Sequence, residues 1–166
     1  MPKRSKGLAI SLVVLVLGVA YVIYIIQGSG PGNGEGGGPP LMEATGPAVI
    51  ELGQRVYAEN CSACHGANLE GQPGFDWREK NADGTFPAPP HDETGLTWHH
   101  ADTLLFNYTA NGGQVFLGDV GKSGMPAFAD VLTFQEIEAV LVYSKSTWPE
   151  PIRERQRLLT EAAREQ

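Results

Sequence analysis

Cys61, Cys64 and His65 stand in the string Cys61-Ser62-Ala63-Cys64-His65, where two thiols three positions apart are followed at once by an imidazole. That pattern suits covalent attachment of a haem. Each thiol can add to one vinyl group and leave a thioether bond. His65 then lies under the iron and can offer one nitrogen as an axial ligand, provided its other ring nitrogen is held by an acceptor that fixes the tautomer. A C-x-x-C pair alone also occurs in zinc sites and dithiol redox proteins. A structural zinc site wants four ligands, usually with a second Cys or His pair at short spacing, and this chain has two cysteines in all. A dithiol pair belongs after a strand in a β-α-β pattern, whereas Pro47 to Asn60 reads as a helix.

The second axial position points to Ser123-Gly124-Met125-Pro126-Ala127-Phe128. Gly124 and Pro126 keep the backbone irregular, so Met125 can be aimed inward from a turn. A soft thioether suits haem iron, and Met opposite His raises the reduction potential relative to two histidines. The other methionines are Met1 and Met42, the latter in a linker.

Three helices must position these groups. The first opens at Thr45-Gly46-Pro47, since Pro suits a first helical position, and carries Val49, Leu52, Val56 and Tyr57 at helical spacing. Gly53 in its middle costs about 1 kcal/mol relative to Ala and suggests close approach of another helix. A second helix, Ala101 to Asn111, shows Leu104, Leu105 and Tyr108 on one side and stops at Gly112-Gly113. A third runs from Phe134 to about Ser146 behind the capping box Thr133-Phe134-Gln135-Glu136, with Ile137, Val140, Leu141 and Ser144 in register. Trp148-Pro149 ends it. Gly53 and Tyr57 on the first helix and Tyr143 on the third suggest that these two helices cross.

The chain of 166 residues, with 21 Gly and 12 Pro, allows one ordinary domain plus appendages. Lys3, Arg4 and Lys6 are the only charges before Glu35. The rest is acidic, and nothing resembles the basic, aromatic-studded patch of a nucleic-acid binder. Leu8 to Ile26 is free of charge and, at about 1.5 Å per residue, spans roughly 28 Å, close to a bilayer core. Residues 1–26 therefore read as a cytoplasmic tip and a transmembrane anchor, with Tyr21 and Tyr24 near the far interface. A cleaved signal peptide is the competing reading, though no clear cleavage site precedes Gln27-Gly28. Residues 27–44 read as a Gly/Pro-rich tether with a reach of about 20 Å. Residues 45–149 form the haem domain. Residues 150–166 form a charged helix that either lies against the domain or docks on a larger complex, a frayed, solvated helix being the default.

The first helix, the C-x-x-C-H string, the Gly-Met-Pro loop and the capped helix together resemble a small monohaem class I cytochrome c over roughly Pro47 to Pro149. The resemblance implies an all-α fold around one covalent haem c. It also implies thioethers at Cys61 and Cys64, His65 and Met125 as axial ligands, and Phe128 of the same loop among the cofactor-binding residues. In that family a proline carbonyl holds the proximal histidine, which points here to Pro89 or Pro90, while Trp98, Tyr108 or His91 are candidates to hydrogen-bond a propionate. The segment Gly71 to His100 departs from the family by its length. It holds His91, His99 and His100, which also raise a second metal site, with copper as a candidate, against the plainer reading of surface or propionate-facing histidines.

The function implied is one-electron transfer without a small-molecule substrate. The protein would sit single-pass in a bacterial inner membrane with its haem domain in the periplasm. Membrane redox complexes of a respiratory or photosynthetic chain would be donor and acceptor. The alternatives are a haem subunit fixed in an oxidase or dehydrogenase, or a haem sensor or enzyme with a labile distal ligand. No G-x-S-x-G or Walker A signature is present.

Overall fold

The structure is a computed structural model that describes residues 46–165. The expected anchor at Leu8–Ile26, the tether and Met42 lie outside the described residues. Within them no helix is long and apolar enough to cross a membrane.

Among the described residues the architecture is helical: α1 (Pro47–Asn60), α2 (Ser62–His65), a 3-10 turn (Thr97–His99), α3 (Asp102–Asn111), α4 (Gln114–Leu117), α5 (Phe134–Ser146) and α6 (Glu150–Arg164). The only β pairing among the described residues is an isolated parallel bridge between Thr85 and Lys122. The all-α expectation and the bounds of α1 and α5 agree with this.

The crossing of α1 and α5 is the largest contact between elements. It is close because Gly53 lacks a side chain: a Cβ there would lie 2.0 Å from the Ala139 carbonyl oxygen and 2.7 Å from Tyr143 Cβ. One turn on, the Tyr57 and Tyr143 rings meet at 5.6 Å in a tilted pair, the arrangement aromatic quadrupoles favour. Val56, Tyr57, Leu69, Ala110, Leu132, Ile137 and Val140 make the buried core.

Thr133 caps α5 as expected. Its hydroxyl accepts from Glu136 N at 3.3 Å, and the Glu136 carboxylate accepts from Thr133 N at 2.8 Å. Thr133→Ala is expected to cost about 1 kcal/mol, read as a shift in the urea midpoint. The bonds from the Thr133 backbone and hydroxyl hold Glu136 below its usual 4.5. A depressed carboxylate stabilises the fold above its unfolded value and loses that contribution as pH falls through the folded one. The deficit of the Thr133→Ala variant is therefore expected to shrink as the pH falls below the ordinary carboxylate value of 4.5.

The C-terminal helix is docked, which corrects the default of a frayed, solvated element. Its leucines do not carry the contact: Leu158 and Leu159 are 52% and 38% exposed. Polar residues do the docking. Gln156 and Thr160, one turn apart, are buried. Gln156 Nε2 donates to Asp102 Oδ1 at 2.7 Å and to the His100 carbonyl at 3.1 Å, and Asp102 N donates to Thr160 Oγ1 at 3.1 Å. Asp102 completes the cluster by accepting from Lys145 Nζ of α5 at 2.8 and 2.9 Å. Removing one partner of a buried pair leaves the other uncompensated, so Asp102→Ala is expected to cost about 3 kcal/mol in denaturant unfolding. The Arg–Glu pairs on the outer face of α6 are exposed and contribute little.

Candidate functional site

Helix α1 ends at Cys61, and a single turn carries the chain through Cys64 to His65, with Cys64 N and His65 N both donating to the Cys61 carbonyl at 3.1 and 2.9 Å. Tyr57 fixes the far side of that turn. Its hydroxyl donates to the carbonyls of His65 at 3.1 Å and Gly66 at 2.8 Å, so a residue that read simply as part of a helix stripe also clamps the motif.

His65 is buried, and its Nδ1 lies 2.8 Å from the Pro89 carbonyl. A carbonyl can only accept, so Nδ1 carries the proton and Nε2 keeps its lone pair. Burial pushes the imidazole below its ordinary value, opposed by the bond to Pro89. Burial, the larger effect, favours the neutral ring a nitrogen ligand needs, and the Pro89 carbonyl decides which nitrogen carries the proton. Of the two prolines proposed, Pro89 is the acceptor. The Pro90 carbonyl instead faces Thr97 Oγ1 at 3.5 Å, because successive carbonyls of the extended segment point to opposite sides.

His91 packs directly on this ligand candidate, with ring centroids 4.1 Å apart and planes 26° from parallel. Its position is fixed on three sides. His91 N donates to the Leu69 carbonyl at 2.7 Å, its carbonyl accepts from Trp148 Nε1 at 2.8 Å, and its Nδ1 lies 2.7 Å from Thr97 Oγ1. Burial first, and the neighbouring His65 second, push it down to about 3. Trp148, which read as a helix stop, is thus also a strut of the site.

Cys61, Cys64, His65 and Met125 all lie on the wall of one cavity of about 910 Å³, within the range of about 300–1,000 Å³ common for ligand and cofactor sites. Leu104, Leu105, Tyr108, Phe116, Phe128, Val140 and Leu141 supply much of its apolar surface. Met125 is half-buried and held by its backbone: its N donates to Ser123 Oγ at 3.1 Å, and its carbonyl accepts from Gly113 N at 3.1 Å, just past the end of α3. Two thiols, an imidazole with a free Nε2 and a thioether around an apolar cavity fit a haem, the first three from one turn and the last from a loop. Burial, then the neighbouring Cys64, push Cys61 up to about 11, the opposite of a thiol poised for disulfide exchange.

Among the other expected cofactor contacts, Pro89, His91, Tyr108 and Phe128 lie on the wall, while Pro90 and Trp98 do not. Trp98 is turned away by its own partners: its Nε1 donates to the Glu93 carbonyl at 3.2 Å, its ring meets His99 at 3.7 Å, and the Arg155 guanidinium sits over it at 5.0 Å. His91, His99 and His100 therefore have different surroundings: His91 packs on His65, His99 packs on Trp98, and His100 lines the cavity. Among the described residues, no three His, Cys, Asp or Glu side chains are placed to hold a metal ion. Thr85, Phe86 and Phe116 also line the cavity, and nothing in their spacing had marked them.

Residues 50–148 match the protein-family model described as Cytochrome c. No curated protein and no solved structure matches the chain.

Proposed function

Because the chain belongs to the cytochrome c family and carries a covalently bound haem c, we propose that it is a one-electron carrier with both axial positions closed, by His65 on one side and Met125 on the other. When bound, the haem supplies a one-electron iron couple. Cys61 and Cys64 hold it covalently. The Pro89 carbonyl keeps the His65 proton on Nδ1, so that Nε2 faces the cavity as a neutral donor, and the apolar wall from α3 and α5 excludes water. The observation that carries this reading is the shared wall on which His65, locked by Pro89, and Met125 both stand.

The rest of the proposal concerns placement. Leu8–Ile26 would anchor the chain in a bacterial inner membrane, and the tether would hold the haem domain on the periplasmic side at high effective concentration beside membrane redox complexes. The excess of acidic residues, a formal net charge of −7, favours basic docking faces on those partners.

A potentiometric titration of the purified holoprotein tests the carrier reading. A single wave with a slope of about 59 mV per decade, unchanged under carbon monoxide, is expected. A potential that moves with carbon monoxide would indicate an open distal site and favour the sensor or enzyme alternative.

A further inference from the structure

The stretch from Gly71 to Pro89, part of the segment in which the chain departs from the family by its length, touches both axial positions. At its C-terminal end, Pro89 holds His65. Its middle is paired to the loop that carries Met125: Phe86 N donates to the Lys122 carbonyl at 3.0 Å, Thr85 bridges Lys122, and Lys122 Nζ donates to the Asp83 carbonyl at 3.2 Å. Side chains close the seam. A Cβ on Gly124, the residue before Met125, would lie 3.7 Å from Thr85, and one on Gly121 would lie 2.3 Å from the Phe86 ring.

Thr85 organises this contact. It is buried, its hydroxyl donates to Asp83 Oδ1 at 2.7 Å and accepts from Asn81 Nδ2 at 3.0 Å, and Asn81 is bonded in turn to Gln72. Gln72 N donates to the Ala88 carbonyl at 2.9 Å, next to Pro89. One chain of hydrogen bonds thus runs from the loop before Met125 to the residue before the His65 acceptor.

We propose that Thr85, through the strap it organises between Gln72 and Pro89, is a positioning residue for Met125: it holds the distal loop closed and so sets how readily the thioether leaves the iron. This rests on Met125 being the distal ligand. Helix α3 also holds the loop, through Gly113 N on the Met125 carbonyl, so loosening the strap frees the loop on one side without unfolding the domain.

The test is a titration of the full-length ferric holoprotein in detergent with imidazole, following the weak far-red band of sulfur-ligated ferric haem. Thr85→Val keeps the shape and removes both hydroxyl bonds. Gly121→Val reaches the same seam by wedging Phe86 away. Both variants are expected to bind imidazole about tenfold more tightly, equivalent to about 1.4 kcal/mol, with the urea midpoint of the whole domain within experimental error of wild type. If the wild type shows the band and imidazole affinity is unchanged in both variants, the positioning role is wrong and the Met125 assignment stands. A gain in affinity matched by an equal loss of global stability also overturns it, because Thr85 would then be merely structural. A wild type without the band removes the Met125 assignment and this inference together.

Discussion

Met125→Ala is expected to convert a closed haem site into an open one. The variant should bind carbon monoxide promptly in the reduced state, where the wild type should not, and its reduction potential should fall. Axial ligands set haem potentials over a span of about 0.8 V, and replacing a soft sulfur by water or a stray nitrogen removes a ligand that favours the ferrous state. The fold should persist. Met125 is only half-buried, and its backbone, not its side chain, makes the bonds to Ser123 and Gly113. Carbon monoxide binding by the reduced protein and a potentiometric titration, run beside a urea unfolding curve, separate loss of a ligand from loss of the domain.

Gly53→Ala should be the most damaging small substitution in the helical frame. Helix propensity alone predicts a gain of about 1 kcal/mol from replacing a mid-helix Gly. Sterics oppose it, and here they win: the new methyl would stand 2.0 Å from the Ala139 carbonyl oxygen, backbone that cannot rotate aside as a side chain would. The helices must separate, loosening the Tyr57–Tyr143 contact and, with it, the hydroxyl that clamps His65 and Gly66. Overpacking of this kind costs about 3 kcal/mol, or roughly a 10 °C fall in the thermal midpoint of a domain this size. Gln54→Ala, on the exposed side of the same helix, should leave the midpoint nearly unchanged.

The frame was legible because each of its signals is local. Pro47 and Asn60 bound α1, and a capping box opens α5 at the residue it names. Gly53 announced the crossing because a mid-helix glycine has a cost that needs a reason. The thiol pair and His65 were legible for the same reason, since their chemistry sets their spacing.

What stayed hidden depends on contacts between distant residues. Nothing in the sequence distinguishes the Pro89 carbonyl from that of Pro90; the choice is made by the direction of one peptide in an extended segment. His91 looked like one of three histidines available to a metal, and only the fold sets it against His65. The docking of the last helix was hidden because its leucines are exposed, while Gln156 and Thr160, polar and unremarkable in sequence, are drawn in by the Asp102 cluster. Thr85 escaped notice because its part is played across a gap of 37 residues, at the bridge to Lys122.

The closed His65/Met125 site is tested most directly by the proton NMR spectrum of the reduced holoprotein. A methionine methyl held over the ring by a bond to low-spin ferrous iron is shifted far upfield by the porphyrin ring current. The account predicts one such resonance in the wild type and its loss in Met125→Ala. A wild-type spectrum with every methionine methyl in its ordinary region would contradict it.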